Sequence, residues 1–92
     1  MDLMKGKKGL IMGVANERSI AWGISQKLAE QGADLAFTYL GDALKKRVIP
    51  LAEKLNSKVT FSCDVENKDE VIKLFEDIKS KWCKIDFVVH AV

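Results

Sequence analysis

Gly13, Ser19 and Gly23 are the residues whose types and spacing could hold an anion. They lie in the run Gly13-Val14-Ala15-Asn16-Glu17-Arg18-Ser19-Ile20-Ala21-Trp22-Gly23. Gly13 follows a short apolar run and can make the tight turn that ends it. Ser19 is a preferred helix N-cap, because its hydroxyl accepts an otherwise orphan backbone N–H. That hydroxyl can also donate to a phosphate. The Ser19 and Ile20 amides would then face the anion, at the positive end of the helix dipole. Gly23, on the helix, would let the sheet or a cofactor come close. The usual fingerprint Gly-x-Gly-x-x-Gly is absent. The same residues therefore also fit an ordinary strand, loop and capped helix.

Other chemistry-bearing residues are sparse. His90 is the single histidine and Tyr39 the single tyrosine. A histidine at a strand end could act as a general base. Cys63 and Cys83 have 19 residues between them and form no Cys-x-x-Cys. A zinc site needs about four clustered ligands, so none is supported. Two cysteines in a charged, aliphatic-rich chain read as reduced thiols, and the cytoplasm is the expected compartment. Trp22 and Trp82 occupy helical positions and read as packing.

The elements that must position these residues alternate. Residues 8–13 form a short apolar run ending in Gly, a buried strand. Ser19 then caps a helix with Ile20, Ile24 and Leu28 on one face, closed by Gly32 in a left-handed conformation. Residues 35–39 are a second strand. Asp42 is expected to cap a second helix with Leu44, Val48, Leu51 and Leu55 inward. Pro50 falls within it, and its missing N–H predicts a kink or break near Ile49. Residues 58–63 are a third strand. Asn67 caps a third helix, with Glu70 as its capping-box partner and Val71, Phe75, Ile78 and Trp82 as the apolar face beside Leu74. Residues 86–91 are a fourth strand. Strands separated by helices pair in parallel. The expected fold is α/β: the N-terminal half of a doubly wound parallel-sheet Rossmann fold, with strand order 3-2-1-4. Ligands bind such sheets outside the carboxyl ends of the strands, at the switch between the first and fourth.

Composition agrees with a small soluble domain. The chain has 92 residues, 48% hydrophobic and 30% charged, with a net charge of +2. Residues 1–46 carry 7 basic and 5 acidic groups, and residues 47–92 carry 8 and 8. Charge this even gives no electrostatic footprint for nucleic acid. No apolar run approaches the ~20 residues needed to cross a bilayer. Lys5, Lys7 and Lys8 before residues 9–15 mimic a signal peptide, but Asn16-Glu17-Arg18 is no cleavage site.

The pattern Gly13-x5-Ser19-x3-Gly23, with Ser19-Ile20-Ala21-Trp22-Gly23-Ile24 opening the helix, resembles the bacterial-type enoyl-acyl carrier protein reductases. These are a divergent branch of the short-chain dehydrogenase/reductase superfamily. Ala36-Phe37-Thr38-Tyr39, Cys63-Asp64-Val65 and Asp86-Phe87-Val88-Val89-His90 resemble the family's later segments, in the right order. The resemblance implies NADH-dependent reduction of the enoyl-acyl carrier protein double bond in fatty acid synthesis, and a homo-oligomer, a tetramer in the family.

It also implies roles for residues. Gly13 and the Ser19-Ile20 helix start would hold the pyrophosphate of NAD. The Asp64 carboxylate would accept from the adenine amino group, and the Val65 N–H would donate to a ring nitrogen. Leu40 stands where the family commonly has a polar amide, so packing or a backbone contact remains there. Asp42 could serve the ribose, although capping is its plainer task. Lys45-Lys46-Arg47 could attract a 2′-phosphate but read as a solvated helix face. No basic residue immediately follows the second strand, which favours NAD over NADP. The family's Tyr and Lys lie on a later helix, so Tyr39 is not the proton donor, and the family does not use the His90 position as its acid. The reading is therefore that residues 1–92 are the N-terminal dinucleotide-binding part of a larger domain, with the catalytic half absent. The alternative is a stand-alone nucleotide-binding or strand-pairing interaction module. An exposed parallel edge at the fourth strand would favour association.

Overall fold

The structure is a computed structural model that describes residues 3–14 and 18–90. The elements run β1 (Lys8–Met12), α1 (Ile20–Glu30), β2 (Asp34–Tyr39), α2 (Asp42–Lys54), β3 (Val59–Ser62), α3 (Lys68–Trp82) and β4 (Phe87–His90). The four strands form one sheet in the order β3-β2-β1-β4, and every pairing is parallel. The expected topology is thus observed; β1 and β3 are slightly shorter than expected, and β2 begins one residue earlier, at Asp34. Residue 91, expected to end the fourth strand, lies outside the described residues.

β1 is buried on both faces, as a central parallel strand must be. Ile11 joins Leu35, Phe37, Ala21, Trp22, Val48 and Leu51 under α1 and α2. Leu10 and Met12 join Ala36, Cys63, Leu74 and Ile78 under α3. Both Trp22 and Trp82 pack, as expected from their positions.

The helices rotate differently from the simplest reading of their apolar spacing. α1 buries Ala21, Trp22 and Ser25, whereas Ile20 is 79% exposed and Ile24 is also exposed. The small residues at 21 and 25 are four apart, and this stripe lets the helix lie close on the sheet. The Ser25 hydroxyl stays satisfied there by donating to the Ala21 carbonyl at 2.7 Å. On α3 the buried residues are Leu74 and Ile78, and Phe75 turns outward. Gly23 does not serve helix–sheet contact, since a Cβ placed there would meet nothing within 4 Å.

Three local expectations about helix ends and breaks need correction. Gly41, at φ +88°, occupies the N-cap of α2 and Asp42 is its first helical residue, so no side chain caps that helix. α2 runs through Pro50 without a break. Pro50 and Lys46 both lie on the solvent side, where water can take the Lys46 carbonyl that loses its partner. Asn67 does cap α3, accepting from the Asp69 and Glu70 amides at 3.0 and 3.2 Å. Glu70 does not return the bond to Asn67; its Oε1 accepts from the Asp64 N–H at 3.2 Å. Gly32 closes α1 as expected, at φ +94°. The Gly32 and Ala33 amides donate to the Ala29 and Leu28 carbonyls, a Schellman ending.

Two contacts dock β4 onto β1. Gly9 leaves room for the Phe87 ring, which a Cβ at residue 9 would overlap at 2.0 Å. At the start of both strands, Lys8 N–H donates to Asp86 Oδ2 at 2.7 Å, and Asp86 N–H donates to the Lys8 carbonyl at 2.7 Å. The Lys8 amide, with Lys84 3.2 Å away and Lys7 nearby, holds the Asp86 carboxyl below the usual carboxylate range.

Two outcomes follow for stability. Gly9→Ala should destabilise the chain by about 1–3 kcal/mol through overpacking against Phe87, read as a lower urea midpoint. An unchanged midpoint would place the Phe87 ring elsewhere. Because the folded pKa of Asp86 is lowered, its stabilisation is fully present above the unfolded value of about 4. It is lost as pH falls through the folded value. The Tm of Asp86→Ala should be lower at pH 7 and should fall less steeply on acidification than that of the wild type.

Candidate functional site

At the carboxyl ends of the strands lies an apolar cleft of about 220 Å³. Gly13 and Val14 reach it after β1, Thr38, Tyr39 and Leu40 from the end of β2, and Cys63 and Val65 after β3. Leu44 of α2 completes the wall. Of the six residues singled out for cofactor binding, the cleft brings together Gly13, Leu40 and Val65. Asp64 sits between two of its lining residues. Ser19 and Ile20 are placed at the start of α1, beyond Gly13 and Val14.

Each of these positions has a local cause. Gly13 adopts φ +110°, a conformation that penalises any side chain. Val14 is buried in the core under α1 and α2 and fixes the chain just after that turn. Residues 15–17 of the proposed phosphate loop lie outside the described residues. Ser19 is the N-cap of α1 as expected, and its Oγ accepts from the Trp22 amide at 3.3 Å. The Ile20 and Ala21 amides, as the first two of the helix, have no intrahelical acceptor. The first turn of α1 holds no acidic residue, whereas α2 has Asp42 there and α3 has Asp69 and Glu70. Of the three helix starts, α1 is the one whose positive end its own carboxylates do not offset.

The segment after β3 is tied down from both sides. Cys63 N–H donates to the Tyr39 carbonyl at 2.9 Å. Asp64 Oδ1 accepts from the Glu66 amide at 3.0 Å, and the Asp64 carbonyl accepts from the Asn67 amide at 3.0 Å. One Asp64 oxygen is thereby engaged in a local turn. Burial pushes the Cys63 thiol pKa up, and the Glu70 and Asp64 carboxylates add to the shift. This thiol is therefore a neutral wall atom, not a nucleophile.

Leu40 is 54% exposed at the cleft's edge. Among the described residues no charged one lines the cleft, and Lys45, Lys46 and Arg47 are all exposed on α2. Tyr39 ends β2 and lines the cleft. His90 is exposed at the end of β4, in register with Met12. Sequence reasoning did not find Thr38, Cys63, Val14 or Leu44 as wall residues. Thr38 was visible in principle, as the one hydroxyl-bearing residue inside the run Leu35-Ala36-Phe37-Thr38.

A larger cleft of about 410 Å³ lies at the opposite end of the sheet. Three helices end there, and their carbonyl ends favour cations. Lys8 lies in that cleft, with Nζ 2.9 Å from Asp34 and 5.3 Å from the centre of the Trp82 ring. That end is internally compensated, and the anion-favouring end is the one with Gly13. Among the described residues, no group of three or more His, Cys, Asp or Glu could hold a metal ion. No helix among them is long and apolar enough to cross a membrane, and both cysteines are free.

Comparison with known proteins gives a consistent result. The family described as Enoyl-(Acyl carrier protein) reductase matches residues 13–92. The chain is 60% identical over 90 residues to enoyl-acyl-carrier-protein reductase (NADH) 2 of Rhizobium meliloti strain 1021, covering 98% of this chain and 34% of that protein. It superposes with TM-score 0.95 on FabI from Candidatus Liberibacter asiaticus, at 50% identity, over 98% of this chain and 35% of that one. It superposes with TM-score 0.90 on the Anaplasma phagocytophilum reductase solved in complex with NAD, at 50% identity, over 95% of this chain and 33% of that one. The chain thus spans about a third of the length of the curated relatives it matches.

The Gly13 geometry is directly testable. Gly13→Ala should lower stability by about 1–2 kcal/mol in urea denaturation, because its φ is unfavourable for any Cβ. A neutral effect would mean that the turn after β1 has another conformation.

Proposed function

Since the chain belongs to the enoyl-(acyl carrier protein) reductase family, we propose that it supplies the adenosine and pyrophosphate part of the NADH site of an enoyl-acyl carrier protein reductase. The observation that carries this reading is the apolar cleft at the carboxyl ends of β1, β2 and β3, next to the start of α1 and with no charged residue in its wall among the described residues. Such a slot suits the flat faces of adenine. The Gly13 turn and the free amides of Ile20 and Ala21 suit a pyrophosphate, with Ser19 capping the same turn. Asp64 and the Val65 amide would address the adenine edge, where a carboxylate beside an N–H complements a donor beside an acceptor. Leu40 would cover the base by packing. The open space around Gly23 leaves that side of α1 accessible to the cofactor.

The cofactor read from these residues is NADH. A 2′-phosphate would need cations at the end of β2, and the cleft wall there is Tyr39 and Leu40. When bound, the dinucleotide supplies hydride for the enoyl double bond of an acyl carrier protein thioester. This chain's residues bind and orient its adenosine side. Residues 1–92 act in this reading as the N-terminal dinucleotide-binding part of a larger domain, in a cytoplasmic homo-oligomer. The free thiols agree with a reducing compartment.

Titration of NADH fluorescence with the 92-residue chain tests the reading. NADH should bind, and NADPH should bind about tenfold more weakly, ~1.4 kcal/mol. The chain alone should not oxidise NADH with a crotonyl thioester. Equal affinity for the two cofactors would overturn the preference. Turnover proportional to chain concentration would overturn the division between binding and catalysis.

A further inference from the structure

We propose that the Thr38 hydroxyl is a binding group of the cleft, hydrogen-bonding the adenosine moiety of the nucleotide. This rests on the cofactor reading above and adds to it a residue that the family resemblance did not supply. Thr38 is 4% exposed, yet it lines the cleft. Its strand register sets it beside Met12 of β1 and Phe61 of β3, both apolar. Among the described residues its hydroxyl makes no hydrogen bond, although no buried polar side-chain atom among them lacks a partner. The hydroxyl is therefore met by solvent, and the cleft is where Thr38 meets solvent.

The two other buried hydroxyls behave differently. Ser25 donates to the Ala21 carbonyl and Ser57 donates to the Leu35 carbonyl at 2.5 Å. Each is closed by the fold itself. Thr38 has the same burial and an unspent hydroxyl, which donates one hydrogen bond and accepts two. A valine of the same shape would serve a purely structural site in this run of Leu35, Ala36 and Phe37 without leaving a polar atom to be desolvated.

A ligand that fills the cleft displaces the water on this hydroxyl. An apolar ligand would leave it orphaned at a cost. A ligand with a polar edge, such as a purine nucleoside, restores the bond. The apolar lining takes the faces of the base, and Thr38 with the neighbouring Cys63 thiol, a weak donor, gives the floor its polarity. Thr38 thereby selects for the adenosine end of the dinucleotide and against a merely hydrophobic occupant.

The test measures the Kd of NADH and of ADP for the 92-residue chain, for Thr38→Val and for Thr38→Ser, together with the Tm of each. Thr38→Val should weaken both ligands about three- to tenfold, the range of one neutral hydrogen bond. Its Tm should not fall. Thr38→Ser, which keeps the hydroxyl, should bind within about twofold of the wild type. Wild-type affinity in Thr38→Val overturns the proposal. So does an equal loss in both variants with a lowered Tm, because that is a packing effect. Failure of the wild type to bind either ligand overturns the cofactor reading itself, and the proposal with it.

Discussion

β1 is hydrogen-bonded along both edges and covered on both faces, and the rest of the molecule is arranged around that constraint. A strand with β2 on one side and β4 on the other must find apolar cover above and below. Ile11 and the pair Leu10 and Met12 divide the core into its two halves. The helices that follow β1 and β2 take one face, and the helix that follows β3 takes the other. Close packing then sets conditions on single residues. Gly9 gives up a side chain so that Phe87 can lie against the strand, and Asp86 fixes where β4 begins against Lys8.

The same constraint makes the ends of the sheet chemically different. Parallel strands joined by helices bring all strand carboxyl ends, and all helix starts, to one side. Each chain segment leaving the sheet there must turn, and Gly13 does so at a φ that a side chain would penalise. The walls left between the diverging segments are the side chains just beyond β1, β2 and β3. They are apolar because they continue the core outward, as Val14 and Cys63 do. The cleft is thus a consequence of the fold, and its few polar groups are the informative ones.

How far this was legible in the sequence depended on the range of the interaction concerned. The capping roles of Ser19 and Asn67 follow from local pattern, parallel pairing from the alternation of strands and helices, and the strand order from the doubly wound fold this alternation fits; all are present. The faces of α1 and α3 do not follow from apolar spacing alone. Ile20, Ile24 and Phe75 fit a helical period, but the angle at which each helix meets the sheet selects Ala21 with Ser25, and Leu74 with Ile78. Asp42 and Gly41 exchange places at the start of α2 because the left-handed φ belongs to the glycine. Glu70 turns to Asp64 because the segment after β3 folds back within reach, which residue spacing does not encode. Of the six residues expected to bind the cofactor, Gly13, Leu40 and Val65 share the cleft, whereas Ser19, Ile20 and Asp64 are not among its lining residues. Thr38 was missed because a threonine within a strand normally reads as β propensity.

The unequal treatment of the three helix starts bears on which end of a dinucleotide belongs where. A helix N-terminus attracts negative charge, and a carboxylate in its first turn already meets that attraction. α3 has Asp69 and Glu70 in place, with Asn67 capping as well, and α2 has Asp42. A phosphate brought to either would meet like charge at close range. α1 has a serine cap and no acid in its first turn, so the proposed pyrophosphate would gain most there. A 2′-phosphate, by contrast, would fall near the end of β2, beside Leu40 and the carboxylate of Asp42 at the start of α2. In the proposed reading, the acid-free first turn of α1 suits the pyrophosphate, and the Asp42 carboxylate at the start of α2 works against a 2′-phosphate there, in opposition to the exposed Lys45, Lys46 and Arg47 further along that helix.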